Sequence, residues 1–303
     1  MIKKLINRLA KNIGCFKRDE SKFVYRISIE PLNATLHLQY AVYALGINRP
    51  YLALAELKTA EFLGMPDKEV KKYKDKILSI LPPQEIMNHN QYFRLKTLSS
   101  ELNNRSEDRC FSVLDVGGGE GQLASFIPEA SYCLVEPTIN GISGINLPFP
   151  DCSFDYVVSC HVLEHIPNAD RVAFLDQLLS KSKYGLILLN PFYFEGSRVE
   201  DRLKLVINVT DAEWAKEHLD CSLPTIEFIE KYAEDRMLEI NIKPNGTLTT
   251  SLALVFFDYL ADQSSDKTKI ERVNKFFNMQ LGGLLDSEKC PNGHMVYISR
   301  KKM

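Results

Sequence analysis

Phe111-Ser-Val-Leu-Asp-Val-Gly-Gly-Gly-Glu-Gly-Gln-Leu-Ala124 decides the fold. A short apolar run, Phe111–Val116, reads as a buried strand. It enters a glycine-rich turn that opens a helix at Gly121–Phe126. Gly117, Gly119 and Gly121 let the backbone bend sharply and let a ligand approach without Cβ clashes. Ser131–Glu136 is a second strand, Phe154–Cys160 a third, and Tyr184–Leu189 another, with a helix over Arg171–Ser182. Leu238–Ile242 and Met295–Ser299 have the pattern of two more. Strands alternating with helices predict an α/β fold, a Rossmann-like, doubly wound parallel sheet. Ligands of such sheets bind at the carboxyl ends of the strands, where the glycine turn lies.

Upstream of Pro82-Pro83 the pattern is helical throughout. The spacing predicts helices over Ala34–Leu45, Pro50–Leu63 and Lys68–Ile80, closed by Gly46, Gly64 and the proline pair. This divides the chain into a helical N-terminal region, 1–85, and an α/β domain, 86–303, introduced by a helix over Asn88–Leu102. Residues 1–18 form a basic amphipathic pattern, with Ile2, Leu5, Ile6, Leu9 and Ile13 on one stripe. That pattern suits either a helix docked on its own protein or peripheral contact with an anionic membrane.

The bulk numbers exclude several classes. The chain has 303 residues, 45% hydrophobic and 25% charged, as ordinary globular proteins do. The net charge of −2 offers no global attraction to nucleic acid, so none is expected as a partner. No apolar run reaches membrane-span length. Seven scattered cysteines without a C-x-x-C pattern read as reduced thiols of a cytoplasmic protein.

Glu136 ends the second strand, where its carboxylate can accept hydrogen bonds from both hydroxyls of a ribose. The site is therefore nucleoside-shaped. Gly119-Glu-Gly-Gln-Leu-Ala124 also fits a dinucleotide pattern, so an NAD(P)-dependent oxidoreductase is one alternative, and a non-catalytic cofactor-binding or recruiting protein is another. Asp115 puts negative charge near the ligand, which suits a cationic sulfonium better than a pyrophosphate.

DVGGGEG (115–121), Glu136 and LPFPDCSFDYVVSCHVLEHIP (147–167) together resemble class I S-adenosylmethionine-dependent methyltransferases. The similarity is greatest to a small-molecule branch with an LPF-x-D-x-SFD signature. The resemblance implies S-adenosylmethionine as cofactor, with Asp115, Gly117, Gly119 and Gly121 at its methionine end and Glu136 on its ribose. Cys160 and His161 would lie near the sulfonium. The acidic residue that many relatives place before LPF is missing, which leaves backbone groups around Asn146 and Leu147 for the adenine. The implied acceptor is a small hydroxylated molecule, such as a sugar in a bacterial glycan or a lipid-linked sugar. His161 and His218 are the candidate bases.

Only ten residues separate Glu136 from Leu147, too few for a full parallel crossover. A third strand of the family's seven-stranded sheet is therefore expected to be shortened or absent. Residues 191–250 are expected to cover the substrate, with Trp214 and Asn190 as further pocket candidates, and Tyr92 and Arg94 are placed to close over the cofactor. His161-Val-Leu-Glu-His165 spells an inverted zinc-protease pattern, H-x-x-E-H. Pro167 leaves too little helix for both histidines to share one face, so no metal is expected.

Overall fold

The computed structural model describes residues 20–107, 109–194, 196–197, 199–280 and 291–301, so the amphipathic segment 1–18 lies outside the described residues. Among the described residues six strands form one sheet: β1 (Ser112–Val116), β2 (Ser131–Val135), β3 (Phe154–Cys160), β4 (Ser182–Asn190), β5 (Leu238–Thr247) and β6 (Pro291–Arg300). Their order is β2-β1-β3-β4-β6-β5. β2, β1, β3 and β4 run parallel, and β6 lies antiparallel between β4 and β5. The sheet is thus the expected mixed α/β one. Where a third parallel strand would follow β2, there is only a one-turn helix, α7 (Pro137–Asn140).

The absence of that strand exposes the edge of β2, and the N-terminal helices occupy the position. These are α1 (Glu20–Ile29), α2 (Ala34–Gly46), α3 (Pro50–Phe62) and α4 (Asp67–Leu78). Asn33 caps α2 by accepting from the amides of Thr35 and Leu36, and Pro50 opens α3. Every residue of α3 from Leu52 to Ala60 is buried, because α2 and α4 flank it and β2 lies against it. Its polar side chains therefore have assigned partners. The Thr59 hydroxyl accepts from the Leu134 amide of β2 at 3.1 Å. The Leu134 carbonyl accepts from Asn140 Nδ2 at 2.9 Å, and a second Asn140 bond, at 3.1 Å, reaches Glu56. Lys58 Nζ donates to the carbonyls of Ile127, Pro128 and Ala130. Side chains thus pair the edge groups that a neighbouring strand would have paired. One apolar core runs without a break from α1–α4 into the sheet.

α5 (His89–Ser106) leads into β1, and α8 (Arg171–Lys181) joins β3 to β4; between β1 and β2 lies the short α6 (Leu123–Phe126). Two insertions stand over the far half of the sheet. The first carries α9 (Val199–Thr210), α10 (Glu213–Cys221) and α11 (Ile226–Asp235). The second, between β5 and β6, carries α12 (Leu248–Asp262) and α13 (Lys267–Gln280). The expected covering insertion over 191–250 needs correcting here. Residues 238–247 are a strand of the sheet, and the second insertion supplies part of the cover. Both helical hairpins leave the same edge, so they pack on each other through a small apolar cluster, Leu203, Val206 and Ala215 with Leu252 and Val255.

Thr59→Val keeps the shape but leaves the Leu134 amide without a partner. The expected cost is about 1–3 kcal/mol of stability. Thr59→Ser should restore most of it. Equal urea midpoints for wild type and Thr59→Val would show that the edge does not need this bond.

Candidate functional site

The turns after β1, β2 and β3 meet at one edge of the sheet. The glycine turn holds its shape by packing at two positions and by openness at a third. A side chain at Gly117 would run into Val162 of the turn after β3, and one at Gly121 would meet Ala55 of α3. Gly119 differs: its φ is +56°, and a Cβ there would meet nothing closer than Gln122 Oε1 at 3.8 Å. Bare backbone therefore faces open space at Gly119, as a ligand cradle requires. The half-buried Glu136 stands beside it. Its Oε2 accepts from the Gly119 amide at 3.2 Å, while Oε1 accepts from the amide and hydroxyl of Thr138. Glu136 has lone pairs left over for ligand hydroxyls.

Asp115 occupies a different place from the one its spacing suggests. It is 2% exposed, tucked under the turn, with Oδ2 accepting from the Tyr132 hydroxyl at 2.6 Å. A side chain at Gly118 would strike this carboxylate, so Asp115 supports the turn from below. Burial pushes its carboxyl up to about 7; the Tyr132 bond works against the rise and the charge on Glu136 adds to it. Asn146 is exposed on the rim, and Leu147 is 5% exposed in the core. The Cys160 thiol is pushed up to about 12 by burial, which keeps it protonated at neutral pH.

His161 follows directly on β3 and adopts a left-handed backbone, φ +57°. Its amide donates to the Leu189 carbonyl at 2.8 Å, which fixes that strained conformation. The ring lines a cavity of about 680 Å³. The same cavity receives Asn90 and Arg94 from α5, Trp214 and His218 from α10, and Asp258 from α12. The neighbouring Val162 abuts Gly117, so the segment that carries His161 touches the glycine turn as well as the cavity. Burial lowers the His161 pKa, with the Arg94 charge acting in the same direction, so the ring is neutral at pH 7. His218 is lowered to about 4, mainly by burial. The expected pocket pair Tyr92 and Arg94 divides. Arg94 reaches the cavity, whereas Tyr92 packs its ring edge-on to Phe126.

Beneath these side chains lies the glutamate of the H-x-x-E-H pattern, which was not among the candidate site residues. Glu164 is fully buried in a single 3-10 turn, Leu163–His165. Asn190, at the end of β4, donates to its Oε2. Its Oε1 lies 3.1 Å from His161 Nδ1 and 3.8 Å from His218 Nε2, yet takes an aligned hydrogen bond from neither. Only the surrounding sequence, a carboxylate between two histidines after a buried strand, hinted at this position.

A family described as "Methyltransferase domain" matches residues 67–239, more than half of the chain. The chain belongs to this methyltransferase family. By that membership it is an S-adenosylmethionine-dependent methyltransferase, and the dinucleotide-oxidoreductase alternative is set aside. Among curated proteins no sequence match was found. Several solved structures are similar. The YcgJ protein of Bacillus subtilis is 14% identical, covering 67% of this chain and 98% of its own, at a TM-score of 0.41. A SAM-dependent methyltransferase from Archaeoglobus fulgidus is 16% identical over 68% of this chain and 94% of its own, at 0.40. The plantazolicin methyltransferase BpumL, solved in complex with SAH, is 13% identical over 86% of this chain and 99% of its own, at 0.44. No helix among the described residues is long and apolar enough to cross a membrane.

The raised Asp115 pKa has a consequence for stability. Between about pH 4 and 7 the folded chain keeps a proton that the unfolded chain has released. This contribution is complete below about pH 4 and is lost as the pH rises through about 7, and it amounts to at most about 4 kcal/mol. Asp115→Asn can still accept from Tyr132 and does not titrate. Its melting temperature should therefore fall less than that of wild type between pH 5 and 8; parallel profiles would contradict the assignment.

Proposed function

We propose that this methyltransferase transfers the methyl group to an oxygen, or a nitrogen, of a small hydroxylated molecule held in the cavity beside His161. The observation that carries this reading is the position of His161, which lines a cavity of about 680 Å³ on the segment that abuts the glycine turn. S-adenosylmethionine supplies the electrophilic methyl group on a sulfonium. Glu136 accepts the ribose hydroxyls, and the bare backbone at Gly119 leaves room for the rest of the cofactor. α9, α10 and α12 line the cavity together with His161. Holding the two reactants aligned about 3–3.5 Å apart supplies much of the acceleration.

An alcohol acceptor must also lose its proton. His161 is the preferred base: it is neutral, it lines the cavity, and the Glu164 carboxylate 3.1 Å from its Nδ1 favours proton uptake. His218 fits that task less well, because its Nε2 already lies 3.2 Å from His165 Nε2. The cavity volume suits a ligand of one or two sugar rings. Trp214 offers an aromatic face and Asn90 and Asp258 offer polar groups, which supports the glycan or lipid-linked sugar as acceptor. Residues 1–18 would bring such a lipid-linked acceptor within reach at a membrane surface.

Two measurements test the reading. Gly119→Val should abolish saturable binding of S-adenosylmethionine, measured by calorimetry, because its side chain fills the cradle. Unchanged affinity would mean the cofactor sits elsewhere. His161→Asn tolerates the left-handed backbone and removes the base. With methyl-labelled cofactor and fractionated small-molecule extract, it should lower turnover about 10²–10⁴-fold at unchanged cofactor affinity. Wild-type turnover by this variant would exclude His161 as the base.

A further inference from the structure

The side chains of Glu164, His165 and His218 converge on one point at the floor of the cavity. Their nearest ligating atoms all lie within 4.8 Å of one another. His165 and His218 present Nε2 to Nε2 at 3.2 Å. Two imidazoles bound to one tetrahedral ion at 2.0–2.1 Å hold their nitrogens about 3.3 Å apart. The histidine pair therefore already has the spacing of two ligands. Glu164 Oε1 is 3.8 Å from His218 Nε2, within reach of the same point.

The remaining atoms of these residues are occupied as ligand supports usually are. His165 Nδ1 pairs with Glu217 at 2.8 Å, which holds the ring with its Nε2 toward the cluster. Glu164 Oε2 is held by Asn190, which orients Oε1 toward the two rings. A plain hydrogen bond from His218 to His165 would account for their distance. It would not account for Glu164 Oε1, a carboxylate oxygen with no exposure and no aligned donor. A buried carboxylate oxygen that meets His161 Nδ1 at 3.1 Å and His218 Nε2 at 3.8 Å without an aligned hydrogen bond is costly unless something positive faces it.

We infer that Glu164, His165 and His218 bind a divalent transition-metal ion of the zinc class, with its open coordination positions facing the cavity. The donor set, two imidazoles and one carboxylate, is that of a catalytic rather than a closed structural site. This is not the inverted zinc-protease arrangement. His161 and His165 do not share a helix face, and the second imidazole comes from α10 in the insertion. The ion's binding stands on this geometry alone; its task rests on the proposed acceptor site. There it would bind an acceptor oxygen and lower that oxygen's pKa, which narrows the acceptor to a molecule with a ligating hydroxyl.

The test uses the full chain, stripped with a chelator and free of S-adenosylmethionine, so that it does not depend on methyl transfer. Zinc titrated in a calorimeter should bind at one equivalent, and cobalt should give intense visible absorption bands of a tetrahedral site, while magnesium should not compete. His218→Ala and Glu164→Gln should each abolish the cobalt spectrum. Glu217→Gln, an exposed position that spares the fold, should weaken binding about 10–100-fold. Absence of binding by wild type would overturn the inference. So would binding that all three substitutions leave intact, which would place the ion on thiols such as Cys110 or Cys152.

Discussion

The exposed edge of β2 is the constraint on which the rest of the structure depends. A parallel strand with an unpaired edge carries amide and carbonyl groups that must find partners. Here those partners are Thr59 and Asn140 at Leu134, with Lys58 serving the neighbouring carbonyls of Ile127, Pro128 and Ala130. This explains why α3, an ordinary-looking helix, is buried on all sides yet carries Glu56, Lys58 and Thr59. It also explains why the helical region is bound so closely to the glycine turn. Ala55 lies where a side chain at Gly121 would have to go. Arg49 pairs with Glu120 of the same turn at 2.8 Å. The glycine turn is thus braced from outside the α/β sheet.

The site itself is organised around three carboxylates with different partners. Asp115 has a phenol and stays beneath the backbone, where burial raises its pKa. Glu136 has backbone amides and remains half exposed, with acceptor capacity to spare. Glu164 has an amide on one oxygen and two imidazoles near the other. The surroundings set them apart: support of the turn, spare acceptor capacity beside it, and a concentrated negative charge under the cavity. The strained backbone at His161 belongs to the same design, because it brings the ring back over Glu164 within a single turn.

Much of this was legible beforehand. The alternation of strands and helices, the glycine turn and the ten-residue gap after Glu136 pointed to an α/β sheet short of one strand, and the sheet has that form. The helices of the N-terminal region begin and end close to where prolines and glycines place them. Other features left no local mark. Asp115 looked like a ligand-facing acid, because spacing reports the end of a strand but not which side chain across the sheet meets it. The second insertion, over 248–280, was not recognised as part of the cover. A helix over a cavity and a helix over a core have the same periodicity.

The order of elements, the turn that must lack side chains and the family they indicate are properties of neighbouring residues. Backbone sterics and hydrophobic period act over a few positions, so the chain states them locally. The meeting of His218 with His165, of Thr59 with Leu134 and of Asn190 with Glu164 joins residues far apart in the chain. Such pairs exist only after the sheet has formed and the helices have packed on it. Burial then decides which of these groups hold a proton, and no local pattern encodes burial of that kind.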